Sequence, residues 1–127
     1  MSFTHTLGVT YKTGEGTVIS VNQNYVADGQ MDIDDIVPPS TTNKEYDLPI
    51  TLANVKSLVI SSDQALTIKT NSSVTPSDTI TVKAGIPITW NTDNINSIPF
   101  ATNVAKMFIT NGGSNSANLK VRVATTI

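Results

Sequence analysis

Apolar and polar residues alternate along Thr79-Ile80-Thr81-Val82-Lys83-Ala84-Gly85-Ile86-Pro87-Ile88-Thr89-Trp90, and that period of two is the tightest constraint on what the chain can fold into. Alternate side chains of an extended strand leave on opposite faces of a sheet, so Ile80 and Val82 share a face, as do Ile86, Ile88 and Trp90. Gly85 stands in the short link between the two arms, which predicts that the second folds back antiparallel on the first. Trp90, the only tryptophan, is in phase with Ile86 and Ile88 and is predicted at the centre of the core. Ile80, Val82, Ile88 and Val121 are its predicted neighbours. A fully buried Trp90 would make Trp90→Ala cost roughly 3–5 kcal/mol.

The same cadence recurs along the chain. Leu7–Tyr11, 17–21, Tyr25–Ala27 and Met31–Asp34 read as short strands, separated by turn chemistry at Thr13-Gly14-Glu15-Gly16, Asn22-Gln23-Asn24 and Asp28-Gly29. Pro38–Asn43 reads as a long loop. Leu48–Val55 admits one helical turn, because Leu52 and Val55 lie three apart and Pro49 suits a first turn. Leu58–Ile60 and Leu66–Lys69 read as a hairpin. Asn91–Pro99 is a polar loop, Val104–Thr110 a strand, Asn111–Ser116 a turn and Leu119–Val123 a final strand. In that last strand Leu119, Val121 and Val123 take one face, Lys120 and Arg122 the other. Eight or nine short, evenly spaced strands predict an all-β fold: a single antiparallel β-sandwich, jelly-roll-like, with at most one helical turn. Residues 1–6 read as a flexible N-terminal arm and residues 7–127 as one sandwich domain.

Composition narrows the function classes. The 127 residues suit one domain, and the absence of cysteine excludes disulfides and thiolate metal sites. A net charge of −2 with scattered basic residues argues against nucleic acid or an acidic membrane as partner. Apolar runs do not exceed three residues, too short for a membrane-spanning helix. The start of the chain has no basic region followed by an apolar run, so no secretory signal is expected. About a third of the residues are Thr, Ser or Asn, and only 14% are charged. Thr fits strands and Asn and Ser fit turns, leaving a surface solvated by hydroxyls and amides.

Catalytic constellations are poorly supplied. A nucleophilic triad needs a base beside its nucleophile, and the one histidine, His5, falls in the expected arm. Asp32, Asp34 and Asp35, with Asp28, form the one acidic cluster and are the candidate oxygen ligands for a hard cation such as calcium. The EF-hand pattern is missing: Gly29 precedes the acidic run and no glutamate closes it. Asp32 and Asp34 alternate with Met31 and Ile33, which reads instead as the wet face of an edge strand. Glu15, Glu45 and Asp47 have no spacing that pairs them with the cluster as glycosidase carboxylates. Gly112-Gly113 lacks the Lys-Ser/Thr and the helix of a phosphate cradle. The aromatics Trp90, Tyr11, Tyr25, Tyr46, Phe3, Phe100 and Phe108 read as core before they read as a sugar platform. No catalytic residue, no cofactor and no enzymatic activity are expected.

Three stretches together resemble small bacteriophage virion proteins, in particular head decoration (cement) proteins: Tyr25–Ile33; Leu58–Ile60 through Leu66–Asn71; and Ile86–Trp90 with the ending from Met107 to Val123. The likeness is one of layout and cadence over most of the chain. It implies a β-sandwich bound to the major capsid protein of an assembled shell, on the outer capsid surface of the virion, after synthesis in the host cytoplasm. Homo-oligomerisation, with a trimer favoured on local symmetry axes, would use Phe3, His5 and Ile127 near the termini as interface residues. A glycan-binding or adhesin module with a site at the Asn91–Ser97 loop, and a tail or connector component, are the alternatives.

Overall fold

The structure, a computed structural model, describes residues 3–16, 18–93 and 96–126. Among them lie ten strands: β1 (Phe3–Lys12), β2 (Val18–Ala27), β3 (Gly29–Val37), β4 (Thr41–Ile50), β5 (Val55–Ser62), β6 (Leu66–Thr70), β7 (Thr79–Val82), β8 (Ile88–Asn91), β9 (Val104–Asn111) and β10 (Ala117–Thr125). The one helical piece among the described residues is a 3₁₀ turn at Leu52–Asn54, within the segment where a single turn is expected from the sequence.

Strands β3 to β10 make a sandwich of two four-stranded sheets, in the orders β3-β10-β5-β8 and β4-β9-β6-β7. The chain runs out along β3, β4, β5 and β6, then retraces its path, so that β7 pairs β6, β8 pairs β5, β9 pairs β4 and β10 pairs β3, all antiparallel. Further pairing of β10 with β5 and of β6 with β9 completes the sheets. A double ribbon wrapped in this way is a jelly roll. It corrects two local expectations. The arms on either side of Gly85 do not pair: β7 and β8 belong to opposite sheets, and the link retains only a bridge between Lys83 and Ile86. The strands around Ser61–Gln64 are likewise β5 and β6 of opposite sheets, as are β9 and β10 around Gly112-Gly113. Stacked sheets lie roughly 10 Å apart, a gap three or four extended residues bridge, so a short Gly- or Ser-rich link serves a hairpin and a layer crossing equally well.

Two expectations about boundaries also change. The sandwich begins at Gly29 rather than at residue 7, and Phe3–Thr6 is paired strand, in register with Asn24–Ala27, rather than a free arm. Strand β4 takes in Thr41–Asn43 of the expected loop and Leu48–Ile50 of the segment expected to hold the helical turn, which begins only at Leu52. It is an edge strand with two register shifts against β9, at 41/44 and 47/50. Those irregularities blur its alternation, and its edge position tolerates Pro49, which has no N–H to donate.

The core fills from the inward faces of the central strands: Leu58 and Ile60 of β5 and Leu119, Val121 and Val123 of β10 face Leu66 and Ile68 of β6 and Met107 and Ile109 of β9. Val82 and Val121 are fully buried, as expected from the alternation. Ile80, Ile88 and Trp90 are only half-buried and pack against the core from its rim. The reason is topological: β7 and β8 are edge strands, so each has one flank without a neighbour. The Trp90 indole is held there by donating from Nε1 to the Asn96 carbonyl at 2.9 Å.

One end of the sandwich is closed by a buried amide. Asn111 is wholly buried at the end of β9, and its Nδ2 donates to the carbonyls of Val37, Pro38 and Asn115 at 3.1, 3.3 and 2.9 Å. Its Oδ1 accepts from Gly113 N at 3.1 Å. The β3–β4 and β9–β10 links are thereby tied together, with Ser40 N donating to Gly113 O beside them.

Two stability outcomes follow from these placements. Asn111→Ala removes a buried amide's bonds to three carbonyls, that of Val37 itself buried, and is expected to cost about 2–4 kcal/mol. A urea midpoint within experimental error of wild type would refute the clamp. For Trp90→Ala the expected loss is about 2 kcal/mol, below the value for a fully buried tryptophan. Native emission should lie between that of a buried and a free indole.

Candidate functional site

Strands β1 and β2 stand apart from the sandwich as a two-stranded ribbon, paired residue for residue from Phe3↔Ala27 to Lys12↔Val18. Cross-strand partners share a face, so the register sorts the side chains into two sets. One face carries the pairs His5/Tyr25, Leu7/Gln23, Val9/Val21 and Tyr11/Ile19; the other carries Thr4/Val26, Thr6/Asn24, Gly8/Asn22, Thr10/Ser20 and Lys12/Val18. The first face is apolar along most of its length and the second mostly polar.

The apolar face is used at its base only. Tyr25 and Ala27 are buried, His5 and Leu7 half-buried, whereas Val9, Tyr11, Ile19 and Val21 are 56%, 64%, 61% and 51% exposed. The buried base rests on the outer face of the sheet containing β5. Asn91 Nδ2 donates to Gln23 Oε1 at 3.3 Å, and the Tyr25 hydroxyl donates to the same oxygen at 3.0 Å. Burial pushes the Tyr25 phenol above its ordinary value, with the Asp93 carboxylate adding to the shift. Where ribbon and sheet part, a groove of about 330 Å³ remains, lined by His5, Leu7, Gln30, Val59, Arg122 and Ala124 among others.

His5 is thus part of the ribbon's seat. Its Nε2 lies 2.8 Å from Gln30 Oε1, an atom that can only accept, so the proton sits on Nε2. Gln30 Nε2 in turn donates to Asp32 Oδ2 at 2.6 Å. His5 Nδ1 is buried without a partner. Ile127 and the side chain of Phe3, the other two terminal candidates, lie outside the described residues. So do Asn94 and Ile95, in the middle of the loop considered for glycan contact.

The three acidic candidates are divided between two environments. Asp32 and Asp34 point outward from β3, an edge strand as the alternation implies, toward Arg122 on β10. Arg122 grips Asp34 with Nη2 at 2.9 and 3.0 Å from the two carboxylate oxygens and approaches Asp32 at 3.7 Å. Asp35 faces β4 instead, where Lys44 Nζ donates to it at 2.7 Å and the Tyr46 hydroxyl donates to the same oxygen. Among the described residues no three His, Asp or Glu side chains converge as a metal site. Glu45 and Asp47 share Lys106, at 2.9 and 3.8 Å.

The Asp35 cluster joins the β3 edge of one sheet to the β4 edge of the other. Hydrogen bonding from Lys44, then from Tyr46, holds the Asp35 carboxyl below the ordinary carboxylate range. A depressed folded-state value stabilises the fold above the unfolded value of about 3.9, and that contribution disappears as pH falls through the folded value. Acidification from neutral pH to about pH 3 should therefore lower the urea midpoint more in wild type than in Asp35→Asn. Equal pH slopes for the two proteins would remove the cluster from the acid response.

Compared with protein-family models, with curated proteins and with solved structures, the chain finds no match. The feature that stands out among the described residues is a ribbon that leaves half of an apolar face in water. Sequence reading missed this ribbon as a unit because Asn22-Gln23-Asn24 looks like a break. The usable signal was Val9, Tyr11, Ile19 and Val21 placed symmetrically about the Thr13–Gly16 turn.

Proposed function

We propose that this chain is a non-enzymatic structural protein of a bacteriophage virion, a decoration protein that binds and stabilises the assembled head shell. The observation that carries the reading is the division of labour within the chain: a self-contained jelly roll with a polar exterior, and a projecting ribbon whose exposed side chains suit contact with protein. Binding an assembled lattice and not its free subunit would stabilise the shell by mass action. Repetition of one modest contact over many equivalent positions would supply avidity. The partners in this reading are the major capsid protein and further copies of the chain, on the outer surface of the virion.

The test is co-sedimentation of the purified protein with undecorated shells assembled from the major capsid protein encoded in the same gene cluster, beside the unassembled subunit as control. Binding to the shell alone, with a rise in the temperature at which the shell releases its contents, is the expected result. Absence of binding to any assembled shell would overturn the reading. Assembly of the protein alone into tubes or rings would favour the tail or connector alternative.

A further inference from the structure

We infer that Asn111-Gly112 is a self-modification site that the fold holds shut, and that its reaction in the opened chain prevents the sandwich from closing again. The inference concerns the chain alone and is independent of any shell.

The chemistry is set by sequence. Asn111 is the only asparagine in the chain that is followed by glycine. In a flexible chain the backbone nitrogen after an asparagine attacks the side-chain carbonyl carbon. A bond forms between Gly112 N and Asn111 Cγ, the Cγ–Nδ2 bond breaks, and ammonia leaves with the proton that Gly112 N gives up. Water then opens the resulting succinimide at either carbonyl. The products are aspartate and, where the main chain is rerouted through the side chain, isoaspartate; water is the one co-reactant. Glycine favours the ring closure because it has no Cβ to obstruct the approach and the widest backbone freedom.

The fold blocks each requirement of this reaction. Asn111 is wholly buried, so the water that must open the ring is kept from it. Its Nδ2 is engaged by the carbonyls of Val37, Pro38 and Asn115, and its Oδ1 by Gly113 N. Asn111 is also the last residue of β9, in register with Thr41 of β4. Ring closure needs Asn111 to turn about its Cα–Cβ and Cα–C bonds, which breaks those hydrogen bonds and the strand end together. The site therefore reacts only in the opened state, at a rate proportional to the fraction of time the end is open.

The product does not fit the place the amide leaves. A carboxylate has no N–H for the three carbonyls, sets acceptor against acceptor, and brings a charge into a buried position with no cation among its partners. Isoaspartate also adds a methylene to the main chain at the β9–β10 link. Because β10 pairs with both β3 and β5, damage at that link falls on the strand that unites one sheet. An opening long enough to react thus removes the molecule from the folded pool, and unfolding acquires a one-way branch.

Tryptic mapping tests this directly. Cleavage after Lys106 and Lys120 releases Met107–Lys120, in which Asn115 and Asn118 serve as internal references for Asn111 in tandem mass spectrometry. At mildly alkaline pH in guanidinium chloride, Asn111 should convert ahead of both. In the folded protein its conversion should be at least about a hundredfold slower, as for a group exposed only by cooperative opening. Gly112→Ala separates reactivity from folding. A Cβ at Gly112 meets nothing within 4 Å and its φ lies outside the left-handed region, so the fold accepts alanine there. Ring closure in its unfolded chain should slow at least about tenfold. After long incubation in denaturant and dilution, the refolded fraction of wild type, read by size-exclusion chromatography and Trp90 emission, should fall in step with Asn111 conversion. Gly112→Ala should keep its yield. Asp28-Gly29 can isomerise through the same kind of ring in both proteins, so the comparison isolates Asn111. Conversion of Asn111 as fast in the folded as in the denatured protein would overturn the inference. Full refolding of wholly converted protein, or an equal loss of yield in Gly112→Ala, would overturn it too.

Discussion

The packing of β10 and β5 against β9 and β6 is the interaction on which everything else rests. These are the inner strands of the two sheets, and each has sheet neighbours on both sides. Leu119, Val121, Val123, Leu58 and Ile60 meet Leu66, Ile68, Met107 and Ile109 with almost no surface left in water. A fully buried aliphatic side chain of this kind stabilises by about 1.5–3 kcal/mol. Because the wrapped topology places strands from distant parts of the chain side by side, this core cannot form piecemeal. β10 joins β3 to β5 within one sheet, so the sheet forms only when the C-terminal strand arrives.

Closing such a sandwich creates a polar problem at its ends, where links cross between layers and leave backbone groups without ladder partners. Asparagines solve it. Asn111 satisfies three carbonyls and one amide at one end. Asn71, with φ at +69°, donates to Ser77 and Asn103 and accepts from Ala105, tying the β6–β7 link to the β8–β9 link. An unmade bond on a buried carbonyl costs more than a made one stabilises, which gives the Asn111–Val37 bond its weight. The richness in Asn, Ser and Thr is thus partly internal: some of those residues hold corners, while others solvate the surface.

The ribbon obeys a different balance. Its base is held by Tyr25 and by the His5–Gln30–Asp32 chain of hydrogen bonds, while its outer half keeps an apolar face in water. Among the described residues the body shows no comparable patch: the exposed large apolar side chains Ile36, Val74 and Ile86 lie on separate elements.

Period-two alternation by itself determined that the protein is all-β, with Val82 and Val121 inside and Lys120 and Arg122 outside. It also placed Asp32 and Asp34 on the wet face of an edge strand. These properties depend on which way a side chain points, and that is set within a few residues of the chain. Only the tertiary structure decided which strands are neighbours, because the links at Gly85 and Ser61–Gln64 are as able to cross 10 Å between layers as to turn within one. The same ignorance put Trp90 at the centre of the core: its phase was legible, but its position on an edge strand was not. It also concealed β4, whose bulges and Pro49 are tolerated because one flank has no partner. The ribbon's exposed face belongs to this second class. Val9, Tyr11, Ile19 and Val21 alternate like core residues, and nothing local distinguishes a face that meets the sandwich from one that extends beyond it.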